Sequence, residues 1–131
     1  MSENDRDVAL SYDIQAARQL VVISGDYAEP DEWRVVLTRI ADDPAYRAGS
    51  SFIRDLRHAE HPVSAQVVMG IIAVVREFWP RLGTHRAAMV TRHRIDVPAV
   101  VAEALASDEQ MPLRAFTSYE DAIRWVSEGR S

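Results

Sequence analysis

The sequence predicts an α/β domain: a mostly parallel five-stranded sheet with an antiparallel first strand and four helices packed on the sheet. Two patterns carry this. Short, β-branched apolar runs alternate with longer stretches whose apolar residues recur at helical spacing. The breaks between them hold the proline, glycine and acidic residues that start and stop helices. At 131 residues the chain is one domain with room for a real core.

Taken in order, residues 1–7 are polar and read as a disordered tail, and the domain spans 8–128. Val8, Leu10, Tyr12 and Ile14 alternate with Ala9, Ser11 and Asp13, the pattern of a strand with one buried face. Gln15–Arg18 interrupt it. Leu20-Val21-Val22-Ile23 then reads as a strand covered on both faces. The short break predicts a hairpin, although its turn lacks Asn-Gly or Gly-Gly.

Pro30-Asp31-Glu32 starts a helix, with proline in the first turn and acids at the positive dipole end. Trp33, Val36, Leu37 and Ile40 form its stripe, and Asp42-Asp43-Pro44 ends it. Ser51–Arg57 is the third strand, in which Arg54 and Asp55 are unusual for an interior position. Pro62 and Ser64 open a second helix, apolar nearly all round from Val63 to Trp79, and Pro80-Arg81-Leu82-Gly83 stops it. Arg86–Thr91 is the fourth strand. Asp96 and Pro98 start a third helix with a stripe of Val97, Val101, Ala104 and Leu105. Leu113–Phe116 is the fifth strand. Ser118-x-x-Asp121 opens a last helix that turns Ala122, Ile123 and Val126 inward.

Composition narrows the function classes. With no cysteine, disulfides, thiol chemistry and zinc-thiolate sites are excluded. The acidic start has no signal-peptide core, and the longest apolar run, Val67–Val75, is nine residues against the roughly 20 of a membrane span. A cytoplasmic protein without a membrane span is the expectation. All fifteen basic residues are arginine, and the net charge of −5 argues against nucleic acid. The charge is uneven. Residues 50–94 hold seven arginines, three acids and all four histidines, whereas residues 1–31 and 95–131 each hold seven acids.

Several short segments resemble the STAS or SpoIIAA-like domains, and most closely their uncharacterised bacterial branch. They are Asp43-Pro44-x-Tyr46-Arg47 and Asp55-Leu56-Arg57, then Pro80-Arg81-Leu82-Gly83 with Arg86, and Tyr119-Glu120-Asp121-Ala122-x-x-Trp125. That fold is shared with anti-sigma-factor antagonists and CRAL-TRIO lipid-binding domains. The resemblance implies a regulatory or protein-interaction module rather than an enzyme. Anti-sigma-factor antagonists carry Asp-Ser-Ser-Gly at the start of the helix after the third strand, with the second serine phosphorylated. Here the place reads Val63-Ser64-Ala65-Gln66, so the phosphoserine switch is expected to be missing.

Two candidate sites follow from the residues. Arg57, His58 and His61 follow the third strand, Arg92, His93 and Arg94 follow the fourth, and Ser64 stands at the next helix start. Ligands of open α/β sheets sit outside the carboxyl ends of parallel strands, and arginine offers a rigid fork for carboxylate or phosphate. This cluster suits a small anionic or lipid-like ligand. The second candidate is a homodimer or protein-partner surface on the apolar helix, built from Met69, Ile72, Phe78 or Trp79. A metal site from His58, His61 and His93 lacks zinc-like spacing. A triad of Ser64, a histidine and Asp55 lacks the Gly-x-Ser-x-Gly elbow. No cofactor motif is present.

Overall fold

A computed structural model describes residues 10–94 and 96–129. Among the described residues the elements run β1 (Leu10–Gln15), β2 (Leu20–Gly25), α1 (Pro30–Asp42), β3 (Ser51–Leu56), α2 (Ala65–Leu82), β4 (Ala87–Thr91), α3 (Val97–Asp108), β5 (Leu113–Phe116) and α4 (Tyr119–Ser127). The spatial order of the strands is β1-β2-β3-β4-β5. β1 runs antiparallel to β2, and the remaining neighbours are parallel. This is the α/β class and element order expected from the sequence. The proposed tail, together with Val8 and Ala9, lies outside the described residues.

The strand order explains where the helices go. Each of the three parallel connections steps to the next strand in the same direction. Right-handed crossovers that all step one way place their helices on one face. Accordingly α1, α2 and α3 lie side by side, while α4, which follows the last strand, covers β3, β4 and β5 from the other side. The two faces are read off β3. Phe52 and Leu56 join the cores under α1–α3, and Ile53 joins the core under α4. Alternation therefore puts Arg54 with the three-helix layer.

Some boundaries differ from the sequence reading. The break after β1 is a 3-10 turn over Ala16–Arg18, closed by Gln19 in the left-handed region (φ 50°). α2 starts at Ala65, not Val63, because the Ser64 hydroxyl caps it by accepting from Val67 N at 3.2 Å. The helix ends within Pro80–Gly83, as expected: Pro80 lies in the last turn, and Gly83 closes it by adopting φ 61° and donating its N–H to the Pro80 carbonyl.

α2 is also not covered all round. Val68, Ile72, Val74, Phe78 and Leu82 are buried, whereas Met69, Ala73, Arg76 and Glu77 face solvent. Inside the helix layer, a Cβ on Gly70 would come within 2.7 Å of Pro30 Cγ, so glycine is what lets α1 approach this closely. The stripe read on α3 is corrected too. Its buried residues are Pro98, Ala99, Ala102 and Ala106, with Val101 and Leu105 partly covered and Val97 and Ala104 exposed. Small residues turn inward because α3 packs closely on α2.

The segments that carry the family resemblance make structural bonds. The Asp43 carboxylate accepts from Tyr12 Oη (3.0 Å) and Ala45 N (2.9 Å). Tyr46 Oη donates to the Leu82 carbonyl at 2.6 Å. Arg86 donates to the Trp125 carbonyl at 2.7 Å and stacks on the Trp125 ring.

Candidate functional site

β3 and β4 are neighbours, with Leu56 opposite Thr91, so the clusters that follow them leave the sheet at one edge. Part of the charge there is already used within the fold. Arg57 grips Asp55 through Nε (2.9 Å) and Nη2 (2.9 Å), and its guanidinium lies over the Tyr119 ring. The Arg57 bonds hold the Asp55 carboxyl below its ordinary value, and Asp55 in turn raises Arg57. The Ser64 hydroxyl accepts from Val67 N as a cap. His58, Arg92, His93 and Arg94 are exposed. The edge thus holds three exposed cationic or imidazole side chains after β4, beside an Arg57 that is occupied.

Asp26, in the loop after β2, organises this end. Its Oδ1 accepts from the main-chain N–H of Tyr27 (2.8 Å), Glu60 (3.0 Å) and His61 (3.0 Å). Its Oδ2 lies 2.6 Å from His61 Nδ1. Burial works to raise the Asp26 carboxyl, but these hydrogen bonds prevail and hold it well below the carboxylate range. The same carboxylate raises the His61 imidazole. Next to it Tyr27 Oη donates to Asp96 Oδ1 at 2.7 Å, and Asp96 also accepts from Ala99 N at 3.0 Å to cap α3. Burial, followed by the Asp96 bond, raises the Tyr27 phenol. Two acidic side chains therefore tie the β2–α1 loop to the loop that precedes α2 and to the start of α3.

These pairings bear on chemistry. Asp55 is held by Arg57, His61 by Asp26, and the Ser64 hydroxyl accepts from Val67 N; among the described residues no hydrogen bond joins Ser64 to His58 or His61, or either histidine to Asp55. Among the described residues no three histidine, aspartate or glutamate side chains converge to hold a metal.

The residue that the sequence reading left out of its site is Arg54. It is 8% exposed, and its guanidinium donates to four main-chain carbonyls, Ile23, Gly25, Asp26 and Asp55. It also lies 5.4 Å from the centre of the Trp33 ring. Burial lowers it to about 10, partly offset by Tyr27, Asp55 and Asp26, so it stays charged at neutral pH. The signal was in the sequence: the alternation Phe52-Arg54-Leu56 places an arginine among residues that face the helices.

The other candidate surface changes composition. Ile72 and Phe78 are buried in the core, and Trp79 is half-buried against it, because this side of α2 faces the sheet. Of the four residues proposed for contact, Met69 is the exposed one, at 56%. It has company on α3, where Val97 and Val100 are 65% and 54% exposed. A groove lined by Met69, Ile72, Ala73, Arg76, Leu105, Asp108 and Glu109 runs between the two helices, so the buried Ile72 also borders it. Arg76 pairs with Glu109 across it at 3.1 Å.

No protein-family model, curated protein or solved structure matches this chain. No helix among the described residues is long and apolar enough to cross a membrane.

Proposed function

We propose that this chain is a non-catalytic, SpoIIAA-like interaction module that pairs with a second copy of itself through the outer face of α2 and α3. The observation that carries this is the exposure of Met69, Val97 and Val100 on two helices that pack side by side, with a groove between those helices that Met69 and Leu105 line. Single exposed aliphatics are ordinary, but several on one helix pair beside a groove suit a contact surface. A second copy fits for a reason of charge. The groove has Arg76 on its α2 side and Asp108 and Glu109 on its α3 side; Arg76 meets Glu109 within the chain, and exchange of this exposed pair between copies, with Asp108 beside it, keeps the charges matched. A two-fold axis along the groove sets the α2 of each copy on the α3 of the other, arginine against acids.

The absence of a phosphoserine switch rests on Ser64, whose hydroxyl is engaged as a cap, and on Ala65 beside it. Aspartate caps as well as serine, so Ser64→Asp leaves fold and self-association unchanged. Light scattering coupled to size exclusion tests the pairing. The wild type is expected to be a dimer, and Met69→Glu or Val100→Glu a folded monomer. A wild type that is monomeric at all concentrations overturns the reading.

A further inference from the structure

Arg54 is a buried charge without an ion pair. Charged side chains this deep are nearly always paired, yet among the described residues no carboxylate reaches it. Its Nη1 contacts the carbonyls of Ile23 (3.4 Å), Gly25 (3.1 Å) and Asp55 (3.3 Å), and its Nη2 contacts that of Asp26 (2.7 Å). A guanidinium has five N–H donors. Nε–H and one hydrogen of Nη2 have no acceptor among the described residues. The Nε–Nη2 edge is a side of the fork that a carboxylate takes in bidentate fashion.

Two clefts meet at this side chain. They lie between the sheet and the three-helix layer, with volumes of about 70 and 80 Å³. Trp33, Arg54, Val75 and Leu113 line both. The rest of the first lining is apolar apart from Thr84, and the rest of the second apart from Tyr27. Water has few partners in such a space. One fixed cation in apolar walls is the recognition chemistry of an amphipathic anion.

We propose that these clefts are the binding site of a small organic monoanion with a compact apolar body, an aromatic or short-chain carboxylate, whose head takes the open edge of Arg54. The space sets the size. The two clefts together approach the ~150 Å³ of a cavity that admits benzene, and a long acyl chain has no room. The site is internal and separate from the exposed Arg57 and Arg92–Arg94 edge. It does not depend on self-association.

Calorimetric titration of the full chain with benzoate, benzyl alcohol, inorganic phosphate and palmitate tests the site. Benzoate is expected to bind about tenfold or more tightly than its neutral isostere or than phosphate, the worth of a charge-assisted pair. Arg54→Met removes that preference. Val75→Ala, which widens both clefts, tightens benzoate severalfold, and Arg92→Ala leaves it unchanged. The proposal is overturned by benzoate binding no tighter than benzyl alcohol, by palmitate binding as well as benzoate, or by an equal loss in Arg92→Ala. Should Arg54→Met fail to fold, the absence of any gain in Val75→Ala overturns it instead.

Discussion

The two faces of the sheet are finished to different standards. Under α4, Ile53, Ala88, Val90, Ala122 and Val126 are almost wholly excluded from solvent and form one core. Under α1, α2 and α3 the core divides into two clusters, with clefts between them and a lone arginine at their junction. A single helix can settle onto a sheet until its side chains fit. Three helices fixed by crossovers must satisfy one another as well, and the space left over collects where Trp33, Arg54 and Val75 meet. One face supplies stability, and the other leaves room for a site.

The largest test of this contrast is a deletion on the dense face. Ile53→Ala should cost ~2–5 kcal/mol, since a fully buried isoleucine leaves a cavity that close packing cannot heal; urea unfolding measures it. Enlargements sharpen the contrast because their signs should differ. Ala122→Val, with no free space around it, should destabilise by ~1–3 kcal/mol. Val75→Ile, at the clefts, should stabilise by ~0.5–1 kcal/mol. Equal costs for the two would erase the distinction between the faces.

The smallest effect lies in the loops that hold Arg54. His61 is raised by Asp26, so its contribution is complete below the ordinary histidine value of about 6.5 and fades as pH rises through the raised value. Asp26 is depressed, so its contribution is present above the ordinary carboxylate value of about 3.9 and is lost only as pH falls through its lower folded value. The melting-temperature difference between wild type and His61→Gln should therefore shrink between pH 6 and pH 8.5. A difference that is flat, or that grows, removes the Asp26–His61 latch from the account.

Much of the fold was legible because its signals are local. The stripe Trp33-Val36-Leu37-Ile40 is the buried face of α1, and Leu113–Phe116 is β5 to the residue. Ser64, Asp96 and Ser118 cap the helices they precede. The misreadings share one cause. On α3 the periodicity points the large Val97 inward, but a close helix neighbour selects small residues, and Ala99, Ala102 and Ala106 are buried instead. On α2 the apolar content hid the fact that Phe78 faces the sheet and Met69 faces solvent. At the strand ends Arg57 looked available, and only Asp55 and Tyr119 in space show it occupied.

By itself, then, the sequence determined the class, the element order, the parallel sheet and the helix caps, because periodicity and capping act within a few residues of the chain. Only the tertiary structure decided which face each helix covers, which arginines are spent on partners, and that Arg54 sits between two clefts on carbonyl partners, with no carboxylate on it among the described residues. Those outcomes depend on the space left when distant elements pack, and on acceptors as far away in sequence as the Ile23 and Asp26 carbonyls.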